Sequence, residues 1–339
     1  MSADALRAAI ALLPVFVFLA ALVQGDSYKL LRLRTVLALV VAGTVAAGLS
    51  YWTNTFVFAR FAGDFVAYTH SVSPWIEEVL KAIVVVFLLR TRQIGVPVDA
   101  GIAGFAIGTG FALVENLYYL AARPDNPLPV QVIRGFGTAI MHGGTTAVLA
   151  MIAVTLYESR PDGGSLLLLP GLLAAVALHT GFNLLLVRPA VAVAATLVVL
   201  PVAVYFIFRH SELAVRNWVD EDFDSKMQLL ESMHAGDFLD SPAGRYLRAL
   251  SDRFSGEDRA DMLCLLRLHG ELALRAKGVL LLRESGIQEP PLDEETRGKL
   301  IELAALERAI GRTGMVALRP LLVASGKDLW QLKLLGRWS

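Results

Sequence analysis

The chain has 339 residues, 55% of them hydrophobic, with a mean hydropathy of +0.56, which excludes an ordinary soluble domain and points to a membrane protein. Lys+Arg and Asp+Glu both number 31, so no charge excess argues for nucleic acid as a partner. The single cysteine, Cys264, excludes an intrachain disulfide.

Taken from the N-terminus, the sequence offers seven apolar runs of bilayer-spanning length, at about 5–23, 36–58, 72–90, 98–121, 131–157, 165–187 and 190–208. Residues 1–24 have the length of a signal peptide. However, Asp4 occupies the n-region, Pro14 interrupts the run and no A-x-A site precedes Gly25, so a first transmembrane helix is expected. The fifth run is long enough to require tilt or protrusion. Lys29, Arg32, Arg34, Arg90, Arg92, Arg160, Arg209 and Arg216 fall on one side of this threading, against Arg7, Arg60, Arg123 and Arg188 on the other. That bias places the N-terminus outside and the C-terminal region in the cytoplasm.

Residues 1–209 carry 13 basic and 10 acidic side chains, and 210–339 carry 18 and 21. Charge density more than doubles at Arg209, where the apolar runs stop, and a domain boundary is expected there. Beyond it, amphipathic runs over 258–284 and 293–312 are separated by Gly and Pro signals, including Pro290-Pro291. The expected fold class is therefore all-α: a polytopic membrane bundle of about seven helices (1–209), followed by a soluble helical domain (210–339). Nothing in the sequence identifies a partner for that second domain.

Ionisable groups inside the apolar runs demand an explanation, because each costs roughly 2.5–3.5 kcal/mol to insert. The third run holds Glu77, Glu78 and Lys81; the fourth, Glu115 and Asn116; the fifth, Arg134 and His142; the sixth, His179 and Asn183. Consecutive spans run in opposite directions, which puts Glu78, Glu115, His142 and His179 at roughly 9–16 Å below one membrane face. By the charge bias that face is the non-cytoplasmic one. A lone intramembrane His or Asn is commonly an interhelical clip, and Arg134 reads equally as a residue snorkelling to the interface. Several carboxylates and imidazoles in one layer are not explained that way. Buried carboxylates of this kind suit general-base work near neutral pH.

Spacing refines the picture. Glu77–Lys81 and Glu78–Lys81 are both helical neighbours, so the lysine can neutralise one glutamate. Adjacent residues point about 100° apart, so only one of the pair can face the centre. His179 and Asn183 share a face, as do Phe111 and Glu115. Gly101, Gly104, Gly108 and Gly110 give the fourth helix small faces for close packing.

Four stretches together resemble the PrsW family of intramembrane proteases, which is related to the CAAX-protease and bacteriocin-processing superfamily. They are Glu77-Glu78-Val79-Leu80-Lys81, Phe111-Ala112-Leu113-Val114-Glu115-Asn116, His142, and His179-Thr180-Gly181-Phe182-Asn183, over roughly 72–188. The resemblance implies a peptidase in a bacterial inner or plasma membrane. Its substrate would be a membrane-anchored protein, such as an anti-sigma factor. It further implies that Glu77 activates water, that Lys81 holds Glu78, and that Glu115 and His142 orient the water or move protons. His179 and Asn183 would stabilise the oxyanion, where losing one donor typically costs on the order of 10²–10³ in rate. A zinc mechanism uses the same residues, with Glu115, His142 and His179 as ligands and Glu77 as base. The sequence leaves the metal-free and zinc routes equally open. Two other classes compete: a proton-coupled transporter, disfavoured by the lack of an inverted repeat, and a non-catalytic sensor or scaffold on a protease-like core.

Overall fold

The computed structural model describes residues 3–26, 28, 30–61, 63–122, 127–160, 164–184, 189–250, 253–287, 292–322 and 326–336. Some side chains within its helices, Arg134 among them, lie outside the described residues. Every regular element among the described residues is helical. The chain divides into two compact units, Met1–Ser211 and Glu212–Ser339.

The first unit contains α1 (Ala3–Gly25), α2 (Leu33–Phe58), α3 (Phe65–Ser71), α4 (Ser73–Arg90), α5 (Pro97–Ala122), α6 (Leu128–Ser159), α7 (Leu169–Asn183) and the start of α8 (Pro189–Ala235). Among the described residues, four segments are long and apolar enough to cross a membrane: Leu33–Phe58, Pro97–Ala122, Gly137–Ser159 and Leu166–Asn183. Helix α4, the expected third span, is not among them, because Glu77, Glu78, Lys81 and Arg90 interrupt its 18 residues. The expected first and seventh spans fall in α1 and α8, where many side chains lie outside the described residues.

Helix α5 forms the centre of this unit. Its residues 98–112 are all buried, and it packs against α1, α2, α4 and α6. Glycine makes the approach close enough. A Cβ at Gly104 would run into the Thr146 carbonyl of α6, and one at Gly108 into the backbone of His142 and Gly143. On another face, Gly110 lies against the Val40 carbonyl of α2, and Gly43 of α2 against Ile107 of α5. These are the small faces expected of the fourth span, and they now have named partners. Asp99, a fully buried carboxylate in the first turn of α5, accepts the backbone N–H groups of Gly95 and Val96 and so ties the preceding segment to the helix start. Helix α1 contributes Val15, Leu19 and Leu22 to the same core.

Two features differ from the sequence reading. Residues 59–71 were expected to connect the second and third spans, and they contain α3, which a seven-residue run with no period of its own does not announce. Helix α8 does not stop near 208 but continues to Ala235. No Gly or Pro follows Pro201 until Gly236, whose φ of 82° ends it.

The second unit has its own core, built from α10 (Gly256–Glu284) and α11 (Glu294–Leu322) with α9 (Pro242–Ala249) and α12 (Gly326–Gly336). A capping box of Ser255 and Asp258 starts α10. Helix α11 is broken at Gly311, which adopts φ 68°, ψ −178°, close to where the amphipathic run ends in the sequence. Pro290-Pro291 lie outside the described residues.

Candidate active site

Four helices of the first unit converge on one polar cluster. Helix α4 supplies Glu77, Glu78 and Lys81, α5 supplies Glu115, α6 supplies His142 and Thr145, and α7 supplies His179. Gly108 explains the α5–α6 part: it brings the two backbones into contact at His142, and Glu115 follows two turns later on the same face. Glu115 Oε2 then reaches His142 Nε2 at 2.5 Å.

The two glutamates have different surroundings. Glu78 is fully buried, and its Oε1 accepts hydrogen bonds from Lys81 Nζ at 2.5 Å, His179 Nδ1 at 2.8 Å and Thr145 Oγ1 at 3.2 Å. Glu77 keeps 15% of its side chain exposed. Its Oε1 accepts from the Ser73 hydroxyl at 2.6 Å, and its Oε2 lies 3.8 Å from His179 Nε2. Glu78 is thus locked by donors, whereas Glu77 has an oxygen directed at an imidazole across a gap too long for a hydrogen bond.

Hydrogen bonding assigns the tautomers. Lys81 donates to Glu78 and, at 3.2 Å, to His142 Nδ1, so His142 carries its proton on Nε2 and donates it to Glu115. His179 donates from Nδ1 to Glu78, which leaves Nε2 as an acceptor on the Glu77 side. Phe111 is buried between these groups, its ring 4.7 Å from that of His142 and 4.8 Å from Lys81 Nζ. The two imidazoles stand edge to face with centroids 5.0 Å apart.

The remaining expected residues are placed as follows. Asn116 is buried beside Glu115 in the chain. Asn183 Nδ2 donates to the Thr69 carbonyl of α3 at 3.1 Å, tying the end of α7 to α3 rather than pointing into the cluster. The Arg134 side chain lies outside the described residues. Ser73 and Thr145 were not singled out from the sequence. The signal for each was helical spacing: Ser73 precedes Glu77 by four residues, and Thr145 follows His142 by three.

Glu77, His142 and His179 offer ligand atoms that all lie within 4.8 Å of one another, and they are the only such metal-capable group among the described residues. The carboxylate joining the two imidazoles is therefore Glu77, whereas Glu115 engages His142 from its own side. Two imidazoles and one carboxylate are a donor set suited to Zn²⁺. A carboxylate behind the distal nitrogen of a ligand histidine, as Glu78 stands behind His179, is the usual supporting arrangement.

A family model described as PrsW family intramembrane metalloprotease matches residues 31–208. The match takes in all four motifs and extends beyond the stretch they cover, so the resemblance read from them is shown. No curated protein and no solved structure matches the chain.

Proposed function

The chain belongs to the PrsW family of intramembrane metalloproteases, an integral membrane peptidase by that membership, and from that premise we propose a division of labour within its glutamate pair. Glu77 is the carboxylate that activates water for attack on the peptide carbonyl. Glu78 is the scaffold that holds Lys81 and fixes His179. The observation that carries this reading is the contrast between them: Glu78 is fully buried with three donors on one oxygen, and Glu77 is partly open with one oxygen facing His179 Nε2. A water between Glu77 and His179 would have an acceptor on each side, one to take its proton and one to orient it. Glu115 and His142, linked to Lys81, form the path along which a proton reaches the leaving amine. Asn183 serves the oxyanion only on leaving the Thr69 carbonyl; in the arrangement described it braces α3.

A second reading is favoured by the Glu77, His142 and His179 cluster. These three residues would hold Zn²⁺, with His142 turning away from Glu115 to do so. When bound, such a metal supplies Lewis-acid polarisation and a water of lowered pKa. In that case Glu115, 28% exposed, is the partly open carboxylate left for proton transfer.

The same proposal includes a substrate anchored in the membrane, a seven-span domain over 1–209 with its N-terminus outside, and a cytoplasmic soluble domain over 210–339. The whole chain, purified in detergent and reconstituted into vesicles, would be given single-span reporter peptides with and without a zinc chelator, and its metal content measured. Cleavage of a reporter by the wild-type chain supports the peptidase reading, and absence of cleavage across the panel contradicts it. Cleavage that survives chelation in metal-free protein supports the glutamate route; loss on chelation with one zinc per chain supports the second.

A further inference from the structure

We propose that Ser73 is a positioning residue for hydrolysis: its hydroxyl pins one oxygen of Glu77 and thereby turns the other toward His179. The proposal rests on the reading of Glu77 as the water-activating carboxylate. Four observations converge on it.

First, Ser73 Oγ lies 2.6 Å from Glu77 Oε1, a short charge-assisted hydrogen bond, and Ser73 is only 8% exposed. Second, the hydroxyl has no capping duty. Although Ser73 opens α4, the helix is entered from Val72 without a side-chain cap, and the next residue is Pro74, which has no N–H to satisfy. Third, Ser73 is held from behind. Val72 ends α3 and begins α4 at once, and α3 is fixed to α2 by Tyr68 Oη donating to Asn54 Oδ1 at 2.7 Å and to α7 by Asn183. Fourth, Glu77 needs an external constraint. Its Oε2 stands 3.8 Å from His179 Nε2 with no direct bond between them, so rotation about the carboxyl torsion would otherwise remove it from register. Glu78, by contrast, is fixed by three donors of its own. One consequence is that the brace between Asn183 and Thr69 acts on the chemistry through Ser73, at a distance from the reacting atoms.

The bland alternative is a serine that merely suits a helix start. It predicts that removing the hydroxyl lowers stability and leaves turnover per folded molecule unchanged. The test is kcat and KM for a cleaved single-span reporter, with melting curves, for the full-length chain and for Ser73→Ala, Ser73→Thr, Ser71→Ala and Glu77→Ala. Ser71 is the control hydroxyl: it is exposed and, among the described residues, bonds to the Ala67 carbonyl of its own helix. The expected result is a kcat lower by about 10- to 100-fold in Ser73→Ala, the range for a hydrogen bond to a charged group. KM stays as in wild type, the melting point falls only modestly so that the chain remains folded in the assay, Ser73→Thr recovers most of the rate, and Ser71→Ala behaves as wild type. Wild-type kcat in Ser73→Ala alongside an inactive Glu77→Ala overturns the role of Ser73 and leaves Glu77 standing. Full activity in Glu77→Ala removes the reading on which the proposal rests.

Discussion

In the first unit Glu78 and Lys81 lie fully buried among His142, His179 and Thr145, whereas in the second Lys277 is equally buried against the ring of Trp218, 4.6 Å away, with Lys327 6.0 Å from the same ring. Both regions place charge where solvent does not reach, and both use an aromatic face to offset the cost. They differ in what stands opposite the charge. Around Lys81 there are two imidazoles and three carboxylates drawn from four helices, and two of those carboxylates, Glu77 and Glu115, keep 15% and 28% of their surface open. Around Trp218 no metal-capable grouping of His, Cys, Asp and Glu occurs among the described residues. Burial of charge alone does not distinguish a reactive site from a packed one. Complementary proton donors and acceptors, converging beside a carboxylate that can still receive substrate, do.

Several substitutions would break or sharpen that contrast. Apart from loss of Glu77 itself, the largest effect is expected for His179→Ala, which removes the acceptor facing Glu77; reporter cleavage should fall by about 10²–10⁴. Glu78→Ala should cost folding as well as activity. It strands the Lys81 ammonium in a buried site, a loss of about 3–5 kcal/mol read as a lower melting point, and Glu78→Leu with Lys81→Met should restore stability but not cleavage. Gly108→Ala pushes a methyl group into the His142 backbone and should lower stability by up to about 3 kcal/mol, with cleavage reduced because α5 and α6 separate at the site. Lys277→Met removes the contact with Trp218 and should destabilise the second unit by about 2 kcal/mol, with cleavage per folded molecule unchanged. A matching loss of cleavage would show that the second region takes part in the reaction and that the contrast is wrong.

The smallest effect concerns pH. Asp293 caps α11, and its hydrogen bonds to Thr296, aided by the nearby Arg275 guanidinium, hold its carboxyl below the usual range. Its contribution is therefore fully present above the unfolded pKa of about 3.9 and is lost as pH falls through the lower folded value. Melting curves taken on acidification should show a slightly shallower decline for Asp293→Ala than for wild type.

The layer of carboxylates and imidazoles was legible in the sequence because two regularities determine it. Spans alternate in direction, and helical rise converts residue number into depth. Hence Glu78, Glu115, His142 and His179 could be brought to one level from position alone. Their pairing was not legible, because it depends on which way each helix is turned, and that is set by contacts such as Gly108 on His142 and Gly110 on Val40. The zinc set read from sequence accordingly contained Glu115, whereas the structure brings Glu77 to the two imidazoles. Lys81 was read as a partner for one glutamate of the pair, and it bonds Glu78 and also engages His142, 61 residues away. Asn183 shares a helix face with His179, yet its amide is taken by α3, an element that sequence periodicity did not reveal.

The central claim is that Glu77, not Glu78, activates the water. Glu77→Gln retains the shape of the side chain and its bond from Ser73 while removing its basicity, so it isolates the chemistry from the packing. Reconstituted wild-type and Glu77→Gln chains would be incubated with a cleavable single-span reporter and the new termini identified by mass spectrometry, with melting curves taken on both. The account predicts a defined cut by wild type, none by Glu77→Gln, and the same melting point for the two. Cleavage at the wild-type rate by a folded Glu77→Gln chain would contradict it.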